Sequence, residues 1–166
     1  MAIDIGDAAI DRANQWSLAS YTVVNKGGPA SASGTITSVQ MHAESGHDLA
    51  NCVVGIFYTT NGDTLKCRSA VAIGAVTGGS VQTFPGLSLA VEVGDYIGIY
   101  FTDGWLSRDT GGFTQIWYVD GQYIDPDDET NYTATVDDAI SLHGTGVEPV
   151  GLGGNMAAKM IAEKLI

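Results

Sequence analysis

Basic side chains are scarce in this sequence. Seven Lys and Arg stand against 19 Asp and Glu, a formal charge of −12. Nucleic-acid partners need clustered cations that neutralise phosphates, so this balance argues against them. Cysteine is equally sparse: Cys52 and Cys67 flank Asn61-Gly62-Asp63, a hairpin-turn signal. A turn centred there sets Cys67 opposite Ile56 or Tyr58 and Cys52 opposite Val71 or Ile73. The two sulfurs then do not meet, and disulfide geometry is strict, so two reduced, core-packed thiols are expected. A zinc site built from Cys and His at ligand spacing is missing too. No apolar run approaches the roughly 18 residues that a membrane-spanning helix needs. The opening MAIDIGDAAIDRA lacks the basic and apolar regions of a secretory leader, so folding in a cytoplasm is expected. GxSxG, HExxH and glycine-rich phosphate-loop patterns are absent as well.

What the sequence does hold is strand patterning and turns. Hydrophobic residues reach 45% and charged ones only 16% of the 166 residues, enough apolar surface for one domain with a real core. The 22 glycines against four prolines suit many tight turns between short strands. The central stretch is Phe84 to Phe101. There Leu87, Leu89, Val91 and Val93 alternate with polar or small residues, as in a strand with one buried face. Gly94-Asp95 turns the chain into the nearly continuous apolar run Tyr96 to Phe101, which reads as a strand covered on both faces. Further strands are expected over Ser20–Val24, Thr35–Ala43, Cys52–Thr60, Thr64–Ala75, Val81–Phe84, Trp105–Arg108 and Phe113–Val119. Asp120-Gly121 predicts a hairpin into Gln122–Ile124, and Ala139–Leu142 a last strand. Residues 1–16 alternate only weakly. The fold class is an all-β antiparallel β-sandwich of nine or ten strands, jelly-roll-like, over residues 1–146. A linker over 147–154 then leads to a short C-terminal amphipathic helix over 155–166. Asn155 caps it, and Met156, Met160, Ile161 and Leu165 form the apolar rows of a candidate subunit interface.

Candidate chemistry is thin. His42, His47 and His143 show no catalytic spacing to a Ser, Cys or carboxylate, and Ser107 to Thr110 reads as a polar turn. Asp125, Asp127, Asp128 and Glu129 offer calcium-type oxygens, but their spacing differs from the EF-hand loop, and an acidic loop without metal is the expectation. Trp105, Trp117, Tyr118 and Tyr123 are the ligand-binding candidates, since exposed aromatics suit sugar stacking or a protein partner. Adjacent residues of a strand point to opposite faces, so Trp117 and Tyr118 cannot both be core of one layer.

The segments IDIGDAAIDRA, GLSLAVEVGDYIGIYF and DDAISLHGTG resemble small jelly-roll virion structural proteins of tailed phages, of the capsid-decoration or tail-appendage type. The resemblance covers about residues 1–146 and implies no site residue. It implies a non-enzymatic virion structural protein in contact with other virion proteins, while the apolar rows of the terminal helix point to a homo-oligomer, and no cofactor, nucleic-acid or membrane partner is expected. A carbohydrate-binding β-sandwich module, with a glycan on the aromatics, is the alternative. One outcome is already testable. Thiol titration of the unfolded, unreduced chain should find both cysteines free, and a count of zero would show a bridge.

Overall fold

The computed structural model describes residues 2–149. The expected helix over 155–166, and with it Met156, Met160, Ile161 and Leu165, lies outside the described residues. Within them the chain is all-β. Its strands are β1 (Ala2–Asp7), β2 (Asn14–Trp16), β3 (Tyr21–Asn25), β4 (Gly34–His42), β5 (Leu49–Asn61), β6 (Thr64–Val76), β7 (Val81–Phe84) and β8 (Leu89–Val91). They continue as β9 (Tyr96–Tyr100), β10 (Leu106–Asp109), β11 (Ile116–Asp120), β12 (Glu129–Asn131), β13 (Thr133–Ala134), β14 (Ala139–Ile140) and β15 (Leu142–Val147). Every pairing between them is antiparallel.

Three sheets result. The first runs β1-β15-β4-β7, with β8 also paired to β4. Strands β7 and β8 share one edge of β4, since Val39 pairs with Phe84 and Ile36 with Leu89. The break between them falls at Pro85-Gly86, where proline has no N–H to give the ladder. The second sheet has seven strands in the order β12-β6-β5-β9-β3-β11-β13. Alternation decides what lies between the two. Ile3, Ile5, Ile36, Val39, Met41 and Leu142 of the first sheet meet Val23, Val54, Ile56, Ile97 and Ile99 of the second in the main core. A small third sheet, β14-β10-β2, is attached through an isolated bridge between Ala43 and Leu106.

The seven-stranded sheet is more than one wall of a sandwich. Its edge strands β12 and β13 are separated in the chain by Tyr132 alone, yet one pairs with β6 and the other with β11. The sheet therefore curls until its two edges are stitched together into a nearly closed barrel. A second core fills this barrel: Val24, Phe57, Leu65, Cys67, Trp117, Ile124 and Tyr132. Tight curling needs small residues where the walls approach, and Gly55 pairs with Gly98 there. A Cβ on Gly98 would lie 2.7 Å from Phe57 and 2.8 Å from Val24, and one on Gly55 would lie 2.7 Å from Ile124.

Several expectations change accordingly. Residues 122–124 form no hairpin strand, because Ile124 turns inward to fill the barrel. The last strand does not stop at Leu142, and β15 continues through Gly144 and Gly146 to Val147. Bare glycines read as loop in a sequence, whereas here a Cβ on Gly144 would press on Ile5 at 2.9 Å. Residues 2–7 form a full edge strand on β15. The two cysteines are free and buried in different cores, Cys52 in the main one and Cys67 inside the barrel. The turn before β9 is fixed by Asp95, which is buried, accepts from Glu92 N at 2.8 Å and holds Arg68 through two bonds of 2.6 and 3.1 Å.

Ile97 and Ile99 both lie fully buried on the sandwich side of β9. Ile99→Ala should therefore cost about 2–5 kcal/mol in denaturant unfolding, the range for an emptied core site. A loss below about half a kcal/mol would place this strand at a yielding edge.

Candidate functional site

The expected aromatic platform is not assembled. Trp117 is buried in the barrel, edge-on to Tyr96 at 4.9 Å, with its indole N–H donating to Asp63 Oδ1 at 2.8 Å. It is a core residue and offers no face to a ligand. Tyr118, on the opposite face of β11, is half-buried against Trp16 and Tyr21 at 5.3 and 6.3 Å. Trp105 is half-buried and stacks on His47, with ring centroids 3.5 Å apart and planes 7° from parallel. Tyr123 is half-buried with its ring against Gly121. None of these four rings contacts another of the four.

The acidic loop is tied to β6 rather than open. Cys67 N donates to Asp128 O and Asp127 N to Cys67 O, both at 2.9 Å, while Asp128 Oδ2 accepts from Asp125 N at 3.2 Å. These neighbouring carboxylates and burial push the Cys67 thiol up to about 12, with burial the larger cause. Burial pushes Cys52 up as well. Neither sulfur is poised as a nucleophile.

Polar chemistry gathers instead where the three sheets meet. The chain passes from β14 to β15 through Ser141, and four groups grip that corner. Asn25, fully buried, donates from Nδ2 to Ile140 O (3.0 Å) and Leu142 O (3.3 Å), and its Oδ1 accepts from Ile140 N (3.1 Å). Arg12, also buried, donates to Ser141 Oγ at 2.8 Å, to Asp109 at 2.8 Å and to Ala8 O at 2.7 Å. Backbone bonds complete the grip, from His42 N to Ser141 O and from Ser141 N to Ser107 O. Arg108 pairs with the buried Asp138 at 2.7 Å beside them.

This corner brings together residues that the sequence left unconnected. His42 ends β4, Glu44 follows the Ala43–Leu106 bridge, Ser107 sits in β10 and Asp11 lies between β1 and β2. His42 Nδ1 is 2.8 Å from Ser107 Oγ, and that hydroxyl also donates to Glu44 Oε2. One ring nitrogen of His42 and one carboxylate oxygen each from Asp11 and Glu44 lie within 4.8 Å of one another. It is the one group of metal-ligating side chains among the described residues. The usable signal was His42-Ala43-Glu44, because spacing two on an extended segment puts both side chains on one side. Ser107 is fully buried, not part of an exposed polar turn. The arrangement is no hydrolytic triad, since Ser107 lies between the imidazole and the carboxylate rather than at the end of the relay.

A cleft of about 440 Å³ opens nearby, lined by Gly6 to Ile10, Gln40 and His143. Asp7 is one of its lining residues, and the buried Oδ2 of this side chain has no hydrogen-bond partner among the described residues. Loss of hydration raises its carboxyl above the ordinary value, outweighing the opposite pull of Arg12 and His143. Comparisons with family models and with curated proteins found no match.

A raised folded-state value means that the native chain holds this proton after the unfolded chain has released it. Stability then falls as pH climbs from the unfolded value of about 3.9 through the folded one. Asp7→Asn should raise the melting temperature at pH 7, and the gain should shrink as pH is lowered toward about 4. An equal gain at both pH values would assign the effect to something other than ionisation.

Proposed function

We propose that this chain is a non-enzymatic structural protein of a phage particle, of the capsid-decoration or tail-associated kind, working through self-association and contacts with other virion proteins. The observation that carries the reading is the outer face of the five-stranded sheet. Its outward positions include Thr35, Ser38, Gln40, Thr83, Thr145 and Val147, and Asp4 is the one carboxylate at these strand positions among the described residues. His143 Nε2 lies 3.6 Å from Asp4, so even that charge has a neighbour that can offset it. In a chain of net charge −12, surfaces repel one another by default. A broad sheet face cleared of charge is where association costs least desolvation, and cores of protein interfaces are depleted of charge in the same way.

The strand order supports a jelly-roll reading of the sandwich. The order β1-β15-β4-β7 faces the run β6-β5-β9-β3, and the chain changes layers between β3 and β4, β4 and β5, β6 and β7, and β8 and β9. That crossing pattern belongs to double-sheet jelly rolls. The resemblance of the strand phrases to virion proteins supplies the setting.

Sedimentation should give a mass that is a multiple of the 17.3 kDa chain. A double variant, Gln40→Glu with Thr145→Glu, should shift the species to monomer while leaving the melting transition in place. A parent chain that stays monomeric and is missing from the protein inventory of purified particles would sink the proposal.

A further inference from the structure

The hydrogen bonds around Ser107 decide where the His42 proton sits. A serine hydroxyl has a single hydrogen, and an ionised carboxylate can only accept, so Ser107 donates to Glu44. Its oxygen must then accept from His42 Nδ1, 2.8 Å away. A neutral imidazole with its proton on Nδ1 presents a bare lone pair at Nε2. His42 is only 6% exposed, and Nε2 has no hydrogen-bond partner among the described residues. Such a pre-set tautomer, held by a second residue, is how metal-ligating histidines are oriented.

The charges beside it have the same need. Asp11 and Glu44 each bring a carboxylate oxygen within 4.8 Å of the imidazole and of each other. Neither forms an ion pair among the described residues. Arg12, next to Asp11 in sequence, is turned away and spent on Ala8, Asp109 and Ser141. Two carboxylates and one nitrogen of the imidazole thus lie together, with no ion pair among the described residues to balance the two charges.

We propose that His42, Asp11 and Glu44 form a binding site for a borderline divalent cation of the zinc kind, with Ser107 orienting both His42 and Glu44. One nitrogen and two carboxylate ligands suit such ions, whereas calcium and magnesium favour all-oxygen sets. Three protein ligands leave room for water, and the exposed Asp11 provides the open side. The ion would join the β1–β2 connection to the end of β4, beside the bridge to β10. Its effect is to clamp the small sheet onto the sandwich.

The test uses the full chain, stripped with chelator and titrated with zinc chloride by calorimetry, with melting followed in parallel. One ion per chain and a raised melting temperature are expected, with calcium and magnesium giving no comparable shift. Asp11→Asn, a change at an exposed position, should weaken zinc binding at least tenfold. Ser107→Ala should weaken it by about ten- to a hundredfold, the usual cost of removing an orienting partner. His143→Ala should leave it unchanged. Absence of binding, affinity unchanged in Asp11→Asn, or equal affinity for calcium would each overturn the site.

Discussion

The corner at Ile140 to Leu142 is the constraint on which the three-sheet arrangement rests. A chain that leaves one sheet and enters another must abandon backbone pairing for a residue or two, in the interior. Asn25 supplies the missing partners from a third element, satisfying three backbone groups with one amide. Each buried group left unpaired there would cost about 1–3 kcal/mol, so the amide decides whether the corner can be buried at all. Arg12 adds a buried charge, tolerable because Asp109 neutralises it and Ser141 and Ala8 take its remaining donors. With the corner held, Ser141 presents its backbone to both His42 and Ser107. The polar cluster is therefore a consequence of how the sheets are joined.

Much of the layering was legible from local pattern. Alternation placed Ile97 and Ile99 on one buried face, and the apolar run through Tyr96 and Tyr100 signalled a strand covered on both sides. The turn at Asn61-Gly62-Asp63 set the hairpin register closely enough to keep the two cysteines apart, with Cys67 opposite Phe57 and Cys52 opposite Gly74. What escaped was whatever depends on meetings between distant segments. Nothing local distinguishes Ile124 as the plug of a barrel from Ile124 as a hairpin residue. Glycine misled in β15, where Gly144 and Gly146 serve close packing rather than turning. The Asp11, His42 and Glu44 cluster needs two separate stretches of chain brought to a common point, and only the His42-Ala43-Glu44 half carries a sequence mark.

Charge is distributed to match this architecture. Three of the carboxylates that lie wholly or partly inside are engaged, Asp95 by Arg68, Asp138 by Arg108 and Asp109 by Arg12, whereas the buried Oδ2 of Asp7 has no hydrogen-bond partner among the described residues. These three arginines are spent on structural contacts, which leaves little cationic surface among the described residues. Four carboxylates cluster at 125–129, a segment bonded to β6 of the seven-stranded sheet.

The stitching of the seven-stranded sheet has a consequence for how the chain reaches its native state. Because β12 and β13 dock on opposite margins of one sheet, the two can be in place together only once the five strands between those margins are in order. Such late, non-local closure is slow, since loop entropy is spent before contacts repay it. Until residues 129–134 arrive, both margins expose unpaired N–H and C=O groups, and the Phe57–Trp117 interior stays open to water. The segment behaves as a zip drawn at the end of folding. An unzipped chain would carry two adhesive edges at once, the form most prone to pairing with its neighbours in a crowded cell.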